Sequence, residues 1–105
     1  MSRGHYGFEY ESDYGECTHL LSVIIDSLVH NIDQDGIDLT FIDICPAQAR
    51  VILEDLGWEC YEVNRDRHSI WEYYYHESYP TKSLSLITEI DLFSMTIDVV
   101  DREEE

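Results

Sequence analysis

Carboxylates dominate the side chains able to do chemistry in this chain: 23 Asp and Glu stand against 6 Lys and Arg in 105 residues, a formal charge of −17. Their placement matters more than their number. On an extended strand, residues two apart project from one face about 6.5 Å apart. Glu9, Glu11 and Asp13 therefore read as a carboxylate row, and Glu89 and Asp91 as a shorter one if that segment is extended. Glu54 and Asp55 fall in the last turn of a short helix, with Glu59 and Glu62 on the strand after it. Asp33, Asp35 and Asp38 surround the exit of a longer helix. Duplex DNA carries one phosphate per about 3.4 Å of axis on each strand, a spacing of the same order, so fixed carboxylates suit sites built for phosphate. Glu54 and Asp55 also sit at the helix end that favours cations, at ~0.3–1 kcal/mol each. A tolerated cost of that kind points to a use elsewhere.

Other chemistry is weaker. Cys45 precedes Pro46 at a predicted helix start, where the dipole would stabilise a thiolate, and His19, His30, His68 or His76 would have to act as its base. A small buried residue or weak cap explains Cys45 better. Paired carboxylates such as Glu54-Asp55 are unavoidable in so acidic a chain. Cys17-x-His19 has no second pair to complete a four-ligand zinc site. Asp33-x-Asp35 with Gly36 lacks the twelve-residue ligand register of a calcium loop. Phosphate-binding glycine loops are absent, and Arg65-Asp66-Arg67-His68 fits a charged hairpin turn better than a nucleic-acid patch. The expectation is a protein that is not an enzyme, with no cofactor and no metal.

The elements that must hold these carboxylates need a core, and composition allows one. The apolar share is 44%, with eight Tyr, two Trp and three Phe, which opposes the disorder that high net charge alone would suggest. The last five residues carry −3 of the charge, leaving −14 on the first 100, so the folded body itself bears the repulsion. One acidic domain is expected over residues 1–100, with a disordered acidic tail over 101–105. No run of eighteen apolar residues spans a bilayer, and no basic start followed by an apolar run marks a signal peptide. A cytoplasmic protein is expected, with Cys17, Cys45 and Cys60 as reduced thiols. It should be a monomer or small homo-oligomer that binds neither nucleic acid directly nor membrane.

Tyr6, Phe8 and Tyr10 alternate with Glu9 and Glu11, which predicts a strand over 5–11. Leu21, Ile24, Ile25, Leu28, Val29 and Ile32 recur at spacings of three and four, which predicts a helix from about Cys17, capped by Asp13 or Thr18 and followed by an Asp35-Gly36 turn. A strand is expected over Ile37 to Ile44. Pro46 then opens a helix with a Val51, Ile52, Leu56 stripe that Gly57 ends. Trp58 to Val63 and Ser69 to His76 pair as a hairpin. Leu84 to Leu92 fits strand or helix nearly equally, and Met95 to Val100 is a final strand. The order implies an α+β fold, two helices packed on a largely antiparallel sheet.

Trp71 is followed by Tyr73, Tyr74 and Tyr75, and a strand buries only alternate members of such a run. Trp71, Tyr73 and Tyr75 are expected in the core, and Tyr74 outside as an interface anchor. Acid beside exposed aromatic suits a binder of a basic groove, with charge to steer and rings to hold. A small acidic domain with rows such as Glu9-x-Glu11-x-Asp13 and no catalytic signature resembles the phage-encoded anti-defence proteins that imitate DNA, anti-CRISPR inhibitors among them. The resemblance is one of size and charge, so no family residue carries over. It implies a stoichiometric inhibitor that fills the DNA-binding channel of a nuclease complex. An acidic adaptor or antitoxin-like module that neutralises a different basic protein is the alternative. The expected contacts are Glu9, Glu11, Asp13, Asp33, Asp35, Glu54, Asp55, Glu59, Glu62 and Tyr74.

Overall fold

A computed structural model describes the backbone of residues 6–42, 44–92 and 94–102, and side chains from Cys17 onward. It has the expected α+β architecture: two helices and a five-stranded antiparallel sheet in the order β1-β5-β4-β3-β2. The elements are α1 (Tyr6–His30), β1 (Ile37–Asp38), a 3₁₀ turn (Leu39–Ile42), α2 (Pro46–Asp55), β2 (Glu59–Arg65), β3 (Ser69–Tyr75), β4 (Lys82–Glu89) and β5 (Ser94–Asp101).

The N-terminal strand expected over 5–11 is replaced by helix from Tyr6. Tyr6, Tyr10 and Tyr14 also repeat every four residues, so the alternation fits both periods, and continuation into the strong stripe beyond Cys17 decides for helix. The predicted caps at Asp13 and Thr18 are therefore interior positions. Cys17, Leu21, Ile25, Leu28 and Val29 of α1 are buried, with Ile24 packed against them. At its exit the ring of His30 bonds the Asp26 carbonyl through Nδ1 at 2.8 Å, and Asn31 Nδ2 donates to the Ser27 carbonyl at 3.1 Å. The Ser27 carbonyl also accepts the backbone N–H of Asn31 at 2.9 Å, so both side chains reinforce the last turn of the helix.

Among the described residues of the strand expected over Ile37 to Ile44, only Ile37 and Asp38 form a strand, paired with Ile97 and Thr96. Asp38 Oδ1 accepts from both the backbone N–H and the hydroxyl of Thr40, at 3.0 and 2.9 Å, and this local bond turns the chain into the 3₁₀ segment. Pro46 is the first residue of α2, as its missing N–H favours. Ala49, Ile52 and Leu53 face the core, whereas Val51, expected in the stripe, is exposed. Gly57 takes φ of +100° after the helix.

Both helices lie on one side of the sheet. Leu84 and Leu86 of β4 and Met95, Ile97 and Val99 of β5 point into that layer with Trp58 and Tyr74, all buried. The segment left open between strand and helix is strand β4 over Lys82–Glu89, with Ile90 to Leu92 in the turn that follows. Asp101, expected in a loose tail, is the last residue of β5 and is held by Lys82 Nζ at 2.9 Å. No helix among the described residues is long and apolar enough to cross a membrane.

Candidate functional site

Strand register fixes what the other side of the sheet presents. Tyr74 pairs with Leu84 and Glu72 with Leu86, so these four share the helix-facing side. Trp71 is opposite Ile87 and Tyr73 opposite Ser85, and Ser85 in turn is opposite Asp98. The open side of the sheet therefore carries Trp71, Tyr73 and Tyr75 in line, about 6.5 Å apart, beside Ser83, Ser85, Ile87, Asp98 and Val100 of β4 and β5. The expected assignment of this run is inverted. Tyr74 is 1% exposed and Trp71 38%, so Tyr74 is no interface anchor, and the three rings expected in the core line the uncovered face.

A buried network explains the inversion. Tyr74 donates its hydroxyl to Glu72 Oε1 at 2.7 Å, and Arg50 Nε of α2 donates to Glu72 Oε2 at 2.7 Å. A carboxylate buried among apolar groups requires such partners. Burial, followed by the hydrogen bond to Glu72, raises the Tyr74 phenol far above its usual range and keeps it protonated. Nothing local to Trp71-Glu72-Tyr73 reveals that Arg50 waits in the helix layer.

On β2, a bulge between Cys60 and Glu62 changes the alternation. Glu59 pairs with Tyr75 and Glu62 with Tyr73, so two residues three apart in sequence share the open face. Tyr61 joins them: its hydroxyl bonds the Ser83 hydroxyl at 2.8 Å, and its ring centroid lies 6.4 Å from that of Tyr73. Asn64 Nδ2 donates to Glu62 Oε2 at 3.2 Å. Every residue of β2 is exposed, since the helix layer stops short of this edge. A shallow groove runs along the open face between β2 and β5, lined by Tyr61, Glu62, Tyr73, Ser85, Val100 and Arg102. It continues past Asn64 and Tyr73 to Trp71.

The expected contact acids divide. Glu54 and Asp55 are exposed at the exit of α2, and Gly57 turns the chain from there into Glu59 and Glu62. His76 Nε2 donates to the Leu56 carbonyl at 3.0 Å and so brings exposed Glu77 to the same corner. Asp33 and Asp35 are exposed beyond α1, ahead of β1, at the far edge of the sheet. Four strand spacings, about 19 Å, separate β1 from β2. Glu89 lies in β4 and Asp91 in the turn after it, so they form no row. Glu9, Glu11 and Asp13 lie in helical backbone, where residues two apart project roughly 200° from one another. The expected strand row does not exist, and their side chains lie outside the described residues.

Three cations make contacts within the chain. Arg50 is held by Glu72, Lys82 by Asp101, and Arg102 donates from Nη2 to the Pro80 carbonyl at 2.7 Å with its guanidinium 4.9 Å from the Tyr75 ring centroid. Arg65 and Arg67 are exposed at the opposite end, around the β2–β3 turn. Cys45 is an exposed thiol that makes no side-chain cap on α2. His30, His68 and His76 bond Asp26, Asp91 and Leu56 respectively, not Cys45. Among the described residues no three His, Cys, Asp or Glu groups converge as metal ligands.

No family model matches this chain, and neither curated proteins nor solved structures give a significant match.

Proposed function

We propose that this chain is a stoichiometric inhibitor that occupies the cationic nucleic-acid channel of another protein, such as a CRISPR effector, in place of DNA. It acts in the cytoplasm, where such a target works, and needs no catalytic group. The observation that carries this reading is the asymmetry of charge use. Arg50, Lys82 and Arg102 are spent on contacts within the chain, whereas Glu59 and Glu62 stand exposed on the edge strand β2 and Glu54 stands exposed at the end of the helix that leads into it. Carboxylates on a folded edge attract a Lys- and Arg-lined channel and speed encounter without the counterion sheath of a polynucleotide. The β2 edge replaces the N-terminal row as the expected contact, with Asp33 and Asp35 too distant to belong to the same line.

Affinity capture of partners at low salt, followed by competition with duplex DNA, tests this. Chain and DNA should exclude each other on the target, and the complex should weaken steeply with salt. Glu54→Gln, Asp55→Asn, Glu59→Gln and Glu62→Gln together should lower affinity at least about tenfold, a loss of about 1.4 kcal/mol. Simultaneous binding of DNA and chain overturns mimicry and selects the second reading, an acidic adaptor that neutralises a basic partner elsewhere. The open-face rings favour that second reading, because a phosphate backbone offers no counterpart to them.

A further inference from the structure

We infer that the open face of the sheet is an arginine-binding surface, in which Trp71 and Tyr73 stack on guanidinium groups of the partner while Glu59 and Glu62 neutralise them. This rests on the anionic-ligand reading above and names its contact chemistry.

Three observations converge. First, the rings lie on a face that no described element covers, although an antiparallel sheet leaving one side to water ordinarily presents polar residues there. Trp71 is 38% exposed and Tyr61 50%. Second, the Cys60–Glu62 bulge brings Glu59 and Glu62 beside Tyr75 and Tyr73 on that face, so each carboxylate neighbours a ring. A ring face and a carboxylate side by side match a guanidinium, which stacks through its plane and donates through its edge. Third, the chain already makes this contact with itself: Arg102 lies over Tyr75, 4.9 Å from the centroid, at one end of the groove. The rings of Tyr73 and Trp71 continue the same line, and among the described residues no arginine is stacked over them. Charge complementarity selects a cationic occupant over a second copy, since two chains of −17 repel. At the Trp71 end of the groove Arg65 is accompanied by Asp66, whose charge offsets it.

Arginine is distinguished from lysine by the rings, not by charge. The test is therefore calorimetric titration of the full chain with nona-arginine and nona-lysine at equal, low ionic strength. Wild type should bind the arginine peptide more tightly, by about two- to fivefold for each ring engaged. Trp71→Leu with Tyr73→Leu should bring the two affinities together. Glu59→Gln with Glu62→Gln should weaken both peptides and leave their ratio standing. The fluorescence of buried Trp58 reports whether each variant is folded. If the double ring variant is unfolded, Trp71→Leu alone makes the comparison. Equal affinity for the two peptides in wild type, or a ratio that survives ring replacement, overturns the arginine-binding face. Weakening of both peptides by the carboxylate variant would then still uphold the anionic-ligand reading. Failure of wild type to bind either peptide overturns both.

Discussion

Arg50 of α2 reaches Glu72 of β3 through a 2.7 Å hydrogen bond from Nε to Oε2, and this pair sets which side of β3 faces the helices. Glu72 is 5% exposed, so its charge is compensated by Arg50 on one oxygen and the Tyr74 hydroxyl on the other. Removing one member leaves a buried charge without its counterpart. Arg50→Ala should lower unfolding free energy by roughly 3 kcal/mol, whereas Arg50→Met with Glu72→Met should restore much of that loss. Urea denaturation of the three proteins measures both. A neutral Arg50→Ala would mean that solvent reaches Glu72 freely.

Tyr74→Phe keeps the ring and removes the donor to Glu72. The expected loss is about 1–3 kcal/mol at neutral pH, against little change for Tyr73→Phe on the open face. The pH dependence has a definite sign. Burial raises the Tyr74 phenol above its ordinary value of 10.0, so its contribution is complete below that value. It declines as the pH rises above it, where the unfolded chain ionises Tyr74 and the folded one does not. The stability gap between wild type and Tyr74→Phe should therefore narrow above about pH 10. A gap constant with pH would count against this.

Gly57 is the hinge between α2 and β2. Its φ of +100° disfavours any side chain, and a Cβ there would stand 2.7 Å from His76 Nε2. Gly57→Ala should destabilise by more than about 1 kcal/mol, read as a lowered thermal midpoint. His76→Ala in the same background should relieve the steric part and leave the backbone part. Full recovery in that double variant would show that φ is not the constraint.

Asp66 organises the β2–β3 turn, where its Oδ1 accepts the backbone N–H groups of His68 and Ser69, each at 2.8 Å. Those two bonds hold its carboxyl below the ordinary 3.8. A depressed folded value stabilises the fold above the unfolded value and loses that contribution as the pH falls through the folded one. Asp66→Ala should lower the thermal midpoint at pH 7, and the difference from wild type should shrink below about pH 4. A difference that persists in acid would assign the effect to the turn backbone.

The amino-acid order alone determined much of this protein. The α1 stripe from Cys17 onward, Pro46 and Gly57 at the ends of α2, the β2–β3 hairpin and the final strand are written in local periodicity and in residues with restricted backbones, and those signals act within a few positions. It also determined the net charge of −17. Tertiary structure decided which face each residue serves. Alternation in Trp71 to Tyr75 allows two orientations of equal local merit, and the choice comes from Leu84 and Leu86 across the ladder and from Arg50 in another layer. The bulge that aligns Glu59 with Glu62 belongs to strand pairing, and the division of the acids between opposite sheet edges belongs to strand order. Local patterning specifies an element's period, but its phase against the core is fixed by partners distant in the chain, and in a surface this acidic the phase decides where charge and rings meet.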